Sequence, residues 1–324
     1  MSPVPSKPRL GLALGSGAAR GLAHIGVLKV LEEAEIPIDI ITGTSMGAFI
    51  GAMYAAGVPV TQMEQVALEI DWRSMARLLD PVMPTSGLTD GKKLLAFMAE
   101  VLPAREFKDL RVPLAVTATD INTGEAIIIK QGDLLEALRA SLAFPGIFSP
   151  VRFAQRFLVD GGLCNPIPIE VARNLGAEKI IGVCTIPAVA KKTPESFLSA
   201  RHGRSKAINR WRDFFSTRRV EQAFRSVIGQ ETETLNDEAS DNLKTPNIFR
   251  VCAQSVAIME NVINELHLRQ NPHDLILRPL LEGINLLEFH RAKEIIAAGE
   301  ATTRASLPEI KHFLRTCPSR ATEN

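Results

Sequence analysis

Residues 36–57 read IPIDIITGTSMGAFIGAMYAAG, and this stretch decides the fold. Its opening, IPIDIIT, is a short apolar run, the mark of a buried strand. Its end, MGAFIGAMYAAG, is a run of small and apolar residues that reads as a helix closed by Gly57 and Pro59. Between them lies GTSMG, residues 43–47. A nucleophile elbow needs this context: a sharp strand-to-helix turn lifts Ser45 above the sheet edge, and Gly43 and Gly47 relieve the crowding around it. The helix that starts after Ser45 also points its positive end at negative charge developing there. Gly-x-Ser-x-Gly occurs in ordinary turns as well; the strand–turn–helix setting favours the nucleophile.

Upstream, LGLAL (residues 10–14) is another buried strand, glycine-rich GSGAARG (15–21) ends it, and LAHIGVLKVLEEAE repeats its apolar residues at helical spacing. The first sixty residues therefore read strand–loop–helix–strand–elbow–helix, a right-handed parallel unit of the α/β class. Downstream, PLAVTATD and EAIIIK read as strands joined by INTG, LLEALRAS as a helix, and RFLVDGG, KIIGVCTI and DLILRP as strands. FRVCAQSVAIMENVINELHLRQ and HRAKEIIAAGEATTRASL read as helices. No internal repeat is present.

The chain has 324 residues, 46% of them hydrophobic, and a formal net charge of +1. That is ample for a buried core and gives no global case for nucleic-acid binding, which calls for a basic excess. The four cysteines, Cys164, Cys184, Cys252 and Cys317, form no C-x-x-C pair. Their spacing suits neither a disulfide framework nor a zinc site and is consistent with a reducing compartment. Residues 1–9 read as a flexible leader without a signal-peptide core, and the longest apolar segment, starting at Met46, meets its proline at 59. A membrane span needs roughly 20 residues. The expectation is a cytoplasmic protein, with peripheral membrane contact left open.

Two further features carry chemistry. GSGAARG turns at a strand end and opens a helix, so several backbone N–H groups converge into a nest for an anion, either a phosphate or the oxyanion of acyl transfer. A dinucleotide-binding loop fits poorly: the third glycine position of G-x-G-x-x-G holds Arg20, and Asp39 lies within the second strand instead of after it. The other feature is Asp160 with Gly161 and Gly162 directly behind RFLV. A carboxylate at a strand end is well placed to reach a neighbouring elbow, although Asp-Gly is also a common turn dipeptide.

Taken together, GSGAARGLAHIGVL, GTSMG and DGGLCNPIP resemble the bacterial patatin-like phospholipases, the family that includes the catalytic domains of neuropathy-target-esterase-type lipases. VTATDINTGE, RASLAFPGIFSPV and DLILRP with FHRAKEIIAAGE are similar to that family too, so the likeness covers residues 8–190 and 246–305. It implies a three-layer α/β/α fold around a mostly parallel sheet, a single catalytic domain over 10–305, and a polar tail over 306–324. It implies a Ser–Asp dyad, with Ser45 as nucleophile and Asp160 as base. It also implies an oxyanion hole from the amides of Gly15, Ser16, Gly17 and Ala18, with Arg20 bracing that loop. Ser16 and Ala18 depart from the commoner all-glycine loop, which leaves open which amide donates.

Histidine is the other candidate base. His202, His267, His273, His290 and His312 follow Ser45, but none sits in a strand-end glycine loop, and His24 reads as a packing or capping residue. The implied activity is hydrolysis of fatty-acyl esters, phospholipid or lysophospholipid, with no metal and no organic cofactor. The rival is a catalytically silent lipid-binding or regulatory protein on the same scaffold.

One segment falls outside this pattern. From Lys191 to Arg225 there are ten basic residues against three acidic ones, and an acidic patch follows, so 191–245 reads as a basic helical insertion. Ile208, Trp211 and Phe215, then Val220, Phe224 and Val227, keep helical spacing among arginines. Residues 199–229 either lie on an anionic membrane surface or form a solvated face with aromatics tucked onto the core or a partner subunit.

Overall fold

The computed structural model describes residues 8–69, 89–186, 248–270 and 275–315. The chain divides into two compact units, one of residues 1–187 with 259–324 and the other of residues 188–258. Of the second unit the described part is the start of one helix. The basic insertion expected at 191–245, and the surface contact expected within it, lie outside the described residues, as does most of the leader.

The first unit is built on one eight-stranded sheet in the order β5-β6-β3-β2-β1-β7-β8, with β4 also paired to β3. The strands are β1 (Leu10–Leu14), β2 (Ile40–Thr44), β3 (Leu114–Asp120), β4 (Ala126–Ile129), β5 (Val151–Phe153), β6 (Arg156–Asp160), β7 (Lys179–Val183) and β8 (Leu275–Leu277). The pairs β1–β2, β1–β7, β2–β3 and β7–β8 are parallel, and β3–β4, β3–β6 and β5–β6 are antiparallel. The helices are α1 (Ala23–Glu33), α2 (Met46–Ala55), α3 (Val60–Glu69), α4 (Lys92–Val101), α5 (Leu134–Ser141), α6 (Ile169–Asn174), α7 (Ile248–Gln270) and α8 (Ala292–Arg315).

Alternation along the central strands makes the three layers. In β1, Leu10, Leu12 and Leu14 enter the larger core with α1, α2 and α8, while Ala13 enters a second core with Ile169 and Ala172 of α6. In β2, Ile41 faces the first core and Ile40 the second. Strands buried on both faces have no polar side to show, which is why these segments read as unbroken apolar runs.

Beside β3 the register brings distant segments together. Thr117 pairs with Thr44 of β2 and with Ile128 of β4, while its neighbour Ala118 pairs with Asp160 of β6 and with Ile127 of β4. A strand has two edges. Since β4 occupies one continuously, β2 and β6 share the other, meeting end to end where Thr44 gives way to Ser45 and β6 ends at Asp160.

Three features differ from the sequence reading. β2 begins at Ile40, because Asp39 turns its carboxylate to the Leu10 amide at 2.7 Å and Ile36 and Ile38 pack into the core without joining the sheet. The expected tail at 306–324 is helical as far as Arg315, because Leu307, Ile310, Phe313 and Leu314 keep one face of α8 on the core. Finally, β5, α3, α4 and α6 were not anticipated. No helix among the described residues is long and apolar enough to cross a membrane.

Candidate active site

Ser45 occupies the turn between β2 and α2 with φ 55° and ψ −123°. A non-glycine residue there is strained, and such strain persists only where surrounding contacts over-determine it. Those contacts are visible. The Ser45 amide donates to Ser141 Oγ at 2.8 Å, and Ser141 Oγ donates in turn to the Thr117 carbonyl at 2.7 Å. A β-carbon on Gly47 would collide with the Leu14 and Gly15 carbonyls, and one on Gly43 would press into the Ala48 backbone. Both glycines are thus fixed by the close approach of α2 to the sheet.

A serine at a helix N-cap ordinarily turns its hydroxyl onto the helix amides. Ser45 makes no such bond; its Oγ donates to Asp160 Oδ2 at 2.6 Å. The other carboxylate oxygen, Oδ1, accepts the Gly162 amide at 2.9 Å, and the Asp160 carbonyl accepts Thr119 Oγ1. Thr42 and Thr44 stitch the following loop to β2 by donating to the Pro168 and Asn165 carbonyls. Gly161 is required because a β-carbon would collide with the Thr117 carbonyl. Burial is nearly complete, with 2% of Asp160 exposed, and it pushes the carboxyl up to about 6 against the opposing bonds from Ser45 and Gly162. At neutral pH the site therefore presents an ionised but poorly solvated acceptor touching a hydroxyl.

The glycine-rich loop lies alongside. The Gly15 amide donates to the Val183 carbonyl at 3.0 Å and the Ser16 amide to the Pro166 carbonyl at 2.8 Å, so these two amides are engaged in holding the loop. Among the described residues, the amides of Gly17 and Ala18 meet no backbone carbonyl. Of the four loop amides expected to form an oxyanion hole, those of Gly15 and Ser16 are thus engaged, and those of Gly17 and Ala18 are not bonded to backbone. Ala18 sits at φ 48°, a second strained non-glycine residue. Thr185 Oγ1 donates to the Ser16 carbonyl at 2.6 Å, and His24 Nε2 lies 2.8 Å from the Gly15 carbonyl, so that nitrogen carries the proton. Burial lowers His24 to about 4, which keeps it a neutral brace for the loop. Arg20 braces the loop by donating from Nε to the Ile284 carbonyl at 2.7 Å.

Next to Ser45, a cavity of about 70 Å³ runs beside α2. Met46, Phe49, Ile50 and Met53 line it on one side, with Leu22, Ile25, Phe97, Leu142 and Phe289 opposite. Every lining side chain is apolar, so the cavity suits a hydrocarbon chain. Among the described residues no three His, Cys, Asp or Glu side chains cluster to hold a metal ion.

One acidic residue beside the site escaped the sequence reading. Glu260 of α7 is 5% exposed, and a β-carbon on Gly162 would collide with its Oε1. Its only sequence signal is an acidic residue amid the apolar spacing of VAIMENVINEL, which reads equally well as a solvated helix face.

This chain is similar to known proteins. A family model described as patatin-like phospholipase matches residues 12–173. An NTE family protein of Mycobacterium bovis is 29% identical over 93% of this chain and 92% of its own length. Lysophospholipase nte1 of Aspergillus fumigatus is 29% identical over 93% of this chain, and the mouse patatin-like phospholipase domain-containing protein 6 is 36% identical over 54% of it. The matched region spans 18% of the fungal protein and 13% of the mouse protein. Among solved structures, VipD from Legionella pneumophila aligns over 94% of this chain and 67% of its own with a TM-score of 0.44 at 14% identity.

Proposed function

Because this chain belongs to the patatin-like phospholipase family, we propose that it is a lipid acyl hydrolase that cleaves fatty-acyl esters through Ser45 and Asp160. The observation that carries the reading is the 2.6 Å hydrogen bond from Ser45 Oγ to Asp160 Oδ2 at a strained elbow. The relatives named as lysophospholipases support an ester of a phospholipid or lysophospholipid as the substrate class.

In the proposed mechanism Ser45 Oγ attacks the ester carbonyl as its proton passes to Asp160 Oδ2. The gap between carboxylate and alcohol acidities makes this transfer unfavourable in water. Two features offset it: desolvation raises the basicity of Asp160, and the charge that forms is received by fixed donors. The carbonyl oxygen becomes the oxyanion against the Gly17 and Ala18 amides, within the field of the α2 N-terminus. Collapse of the intermediate expels the alcohol, which takes the proton from Asp160, and leaves the acyl group on Ser45. Water activated by the same carboxylate then hydrolyses the acyl-enzyme. The apolar cavity beside α2 holds the acyl chain.

Hydrolysis of an acyl-ester series from short to long chains tests the reading, comparing the unaltered protein with Ser45→Ala and Asp160→Asn. Activity that rises with chain length and disappears in both variants is expected, together with fluorophosphonate labelling at Ser45. A folded protein that is inert on every ester and unlabelled overturns it and leaves a lipid-binding role for the scaffold.

A further inference from the structure

We propose that Glu260 is a positioning residue for the dyad: packed against Gly162, it keeps its proton while Asp160 is ionised, so that the site holds a single negative charge as the oxyanion forms. The proposal rests on Ser45 and Asp160 acting as nucleophile and base.

The geometry is specific. A β-carbon on Gly162 would meet Glu260 Oε1 and would lie 3.2 Å from Ser16 Oγ. The Glu260 carboxyl thus sits over the amide that anchors Asp160 and beside the loop that carries Gly17 and Ala18. Ser16 Oγ is buried and meets no hydrogen-bond partner among the described residues. Two carboxyls this deeply buried, in low dielectric and close to each other, do not both ionise; one proton is retained by the pair.

Which carboxyl keeps it follows from what surrounds each. Asp160 is stabilised as an anion by the Ser45 hydroxyl and the Gly162 amide, which bond to its two oxygens. Glu260 is bonded by neither. From the turn after β1, Arg20 faces it and favours its ionisation, but Arg20 is itself half-buried and shared with Glu288. From the turn after β6, Asp160 opposes ionisation, and Cys164 there is a thiol pushed up by burial. From the loop before α8, Glu288 is paired to Arg291. On its own helix Glu265 is paired to Arg278. Burial first and then the Asp160 charge push Glu260 up to about 8. Ionisation above that pH sets a second negative charge beside the oxyanion loop, where like charge opposes the transition state.

The test compares pH–rate profiles of the unaltered protein and Glu260→Gln on a soluble short-chain ester, together with the infrared band of un-ionised carboxyl at pH 7. In the unaltered protein, kcat/KM is expected to fall about tenfold between pH 7 and pH 9, as a group titrating near 8 requires. In Glu260→Gln the same ratio stays within about twofold, and one un-ionised carboxyl band is lost. Glu260→Met, with matched bulk and no hydrogen bond, is expected to lose the alkaline fall and to raise the mobility of the Gly162 amide in hydrogen exchange. An alkaline fall that persists in both variants, a uniform loss at every pH, or an unchanged infrared band overturns the proposal. The infrared readout does not depend on turnover, so failure of the catalytic reading and failure of this one remain distinguishable.

Discussion

Ser45 and Asp160 are 115 residues apart in the chain, yet their side chains meet at 2.6 Å because the two strands that carry them end against each other along one edge of β3. β2 arrives in parallel with β3 and stops at Thr44; β6 arrives antiparallel and stops at Asp160. Both strand ends are therefore held by the same backbone ladder, through Thr117 and Ala118. The dyad geometry is a property of the sheet more than of either loop, and the consequences are measurable.

The first concerns the acid side of the pH profile. As the proposed base, Asp160 acts only when ionised, and burial lifts its titration to about 6. kcat/KM is expected to fall with unit slope below about pH 6, roughly two units above an ordinary aspartate. A limb that falls only below pH 4 would show that Asp160 is not the desolvated base described above.

Stability moves in the opposite direction. The folded-state titration of Asp160 lies above its unfolded value near 3.8, so the folded protein binds more protons between about pH 4 and pH 6 and loses stability as pH rises through that window. Asp160→Asn removes the buried charge and is expected to stabilise the protein by about 1–3 kcal/mol at pH 7 while abolishing activity. The gain should shrink as pH approaches 4. Thermal melting of both proteins at pH 4.5 and pH 7.5 measures it, and a less stable variant at pH 7.5 would contradict the assigned penalty.

Much of this was legible in the sequence. The unbroken apolar runs of β1, β2 and β7 marked the central sheet, and the glycines of GTSMG and DGG marked Ser45 and Asp160, the two residues that the fold brings together, because two-faced burial and tight turns leave local marks. The end-to-end meeting of β2 and β6 left none, since it depends on registers set by β3. β5 is three residues long and α6 six, too short to mark themselves, whereas α3 and α4 carry apolar residues at helical spacing to which the sequence reading gave no element. Glu260 was invisible for another reason: a lone acidic residue in a helix announces burial only once Gly162 and Ser16 are seen beside it. The engagement of the Gly15 and Ser16 amides was equally non-local, being decided by Val183 and Pro166.

Ser141 lies within RASLAFPGIFSPV, a segment read without any role at the elbow, yet it holds the elbow. Its hydroxyl accepts the Ser45 amide and donates to the Thr117 carbonyl, tying the nucleophile to the strand that sets its position. Ser141→Ala leaves a buried N–H without an acceptor, which costs about 1–3 kcal/mol. kcat is expected to drop about tenfold or more with KM little changed, since the strained turn relaxes away from Asp160 without altering the acyl cavity. An equal rise in KM would place the effect on binding instead.

The cavity beside α2 makes chain-length selectivity testable from its far end. Met46 borders it next to Ser45, while Ala67 of α3 lines it from another helix and is 2% exposed. Ala67→Phe adds bulk to a wall remote from the dyad, so short acyl chains should still fit and long ones should meet the new ring. The ratio of kcat/KM for a long-chain to a short-chain ester is expected to fall by about tenfold to a hundredfold, the scale on which hydrophobic pockets discriminate chain length. Overpacking also costs about 1–3 kcal/mol of stability, so the comparison is the ratio within one variant and not the absolute rate. A preserved ratio in a folded variant would mean that the acyl chain leaves the dyad by another route, and the apolar cavity would then be a packing defect between α2 and α3.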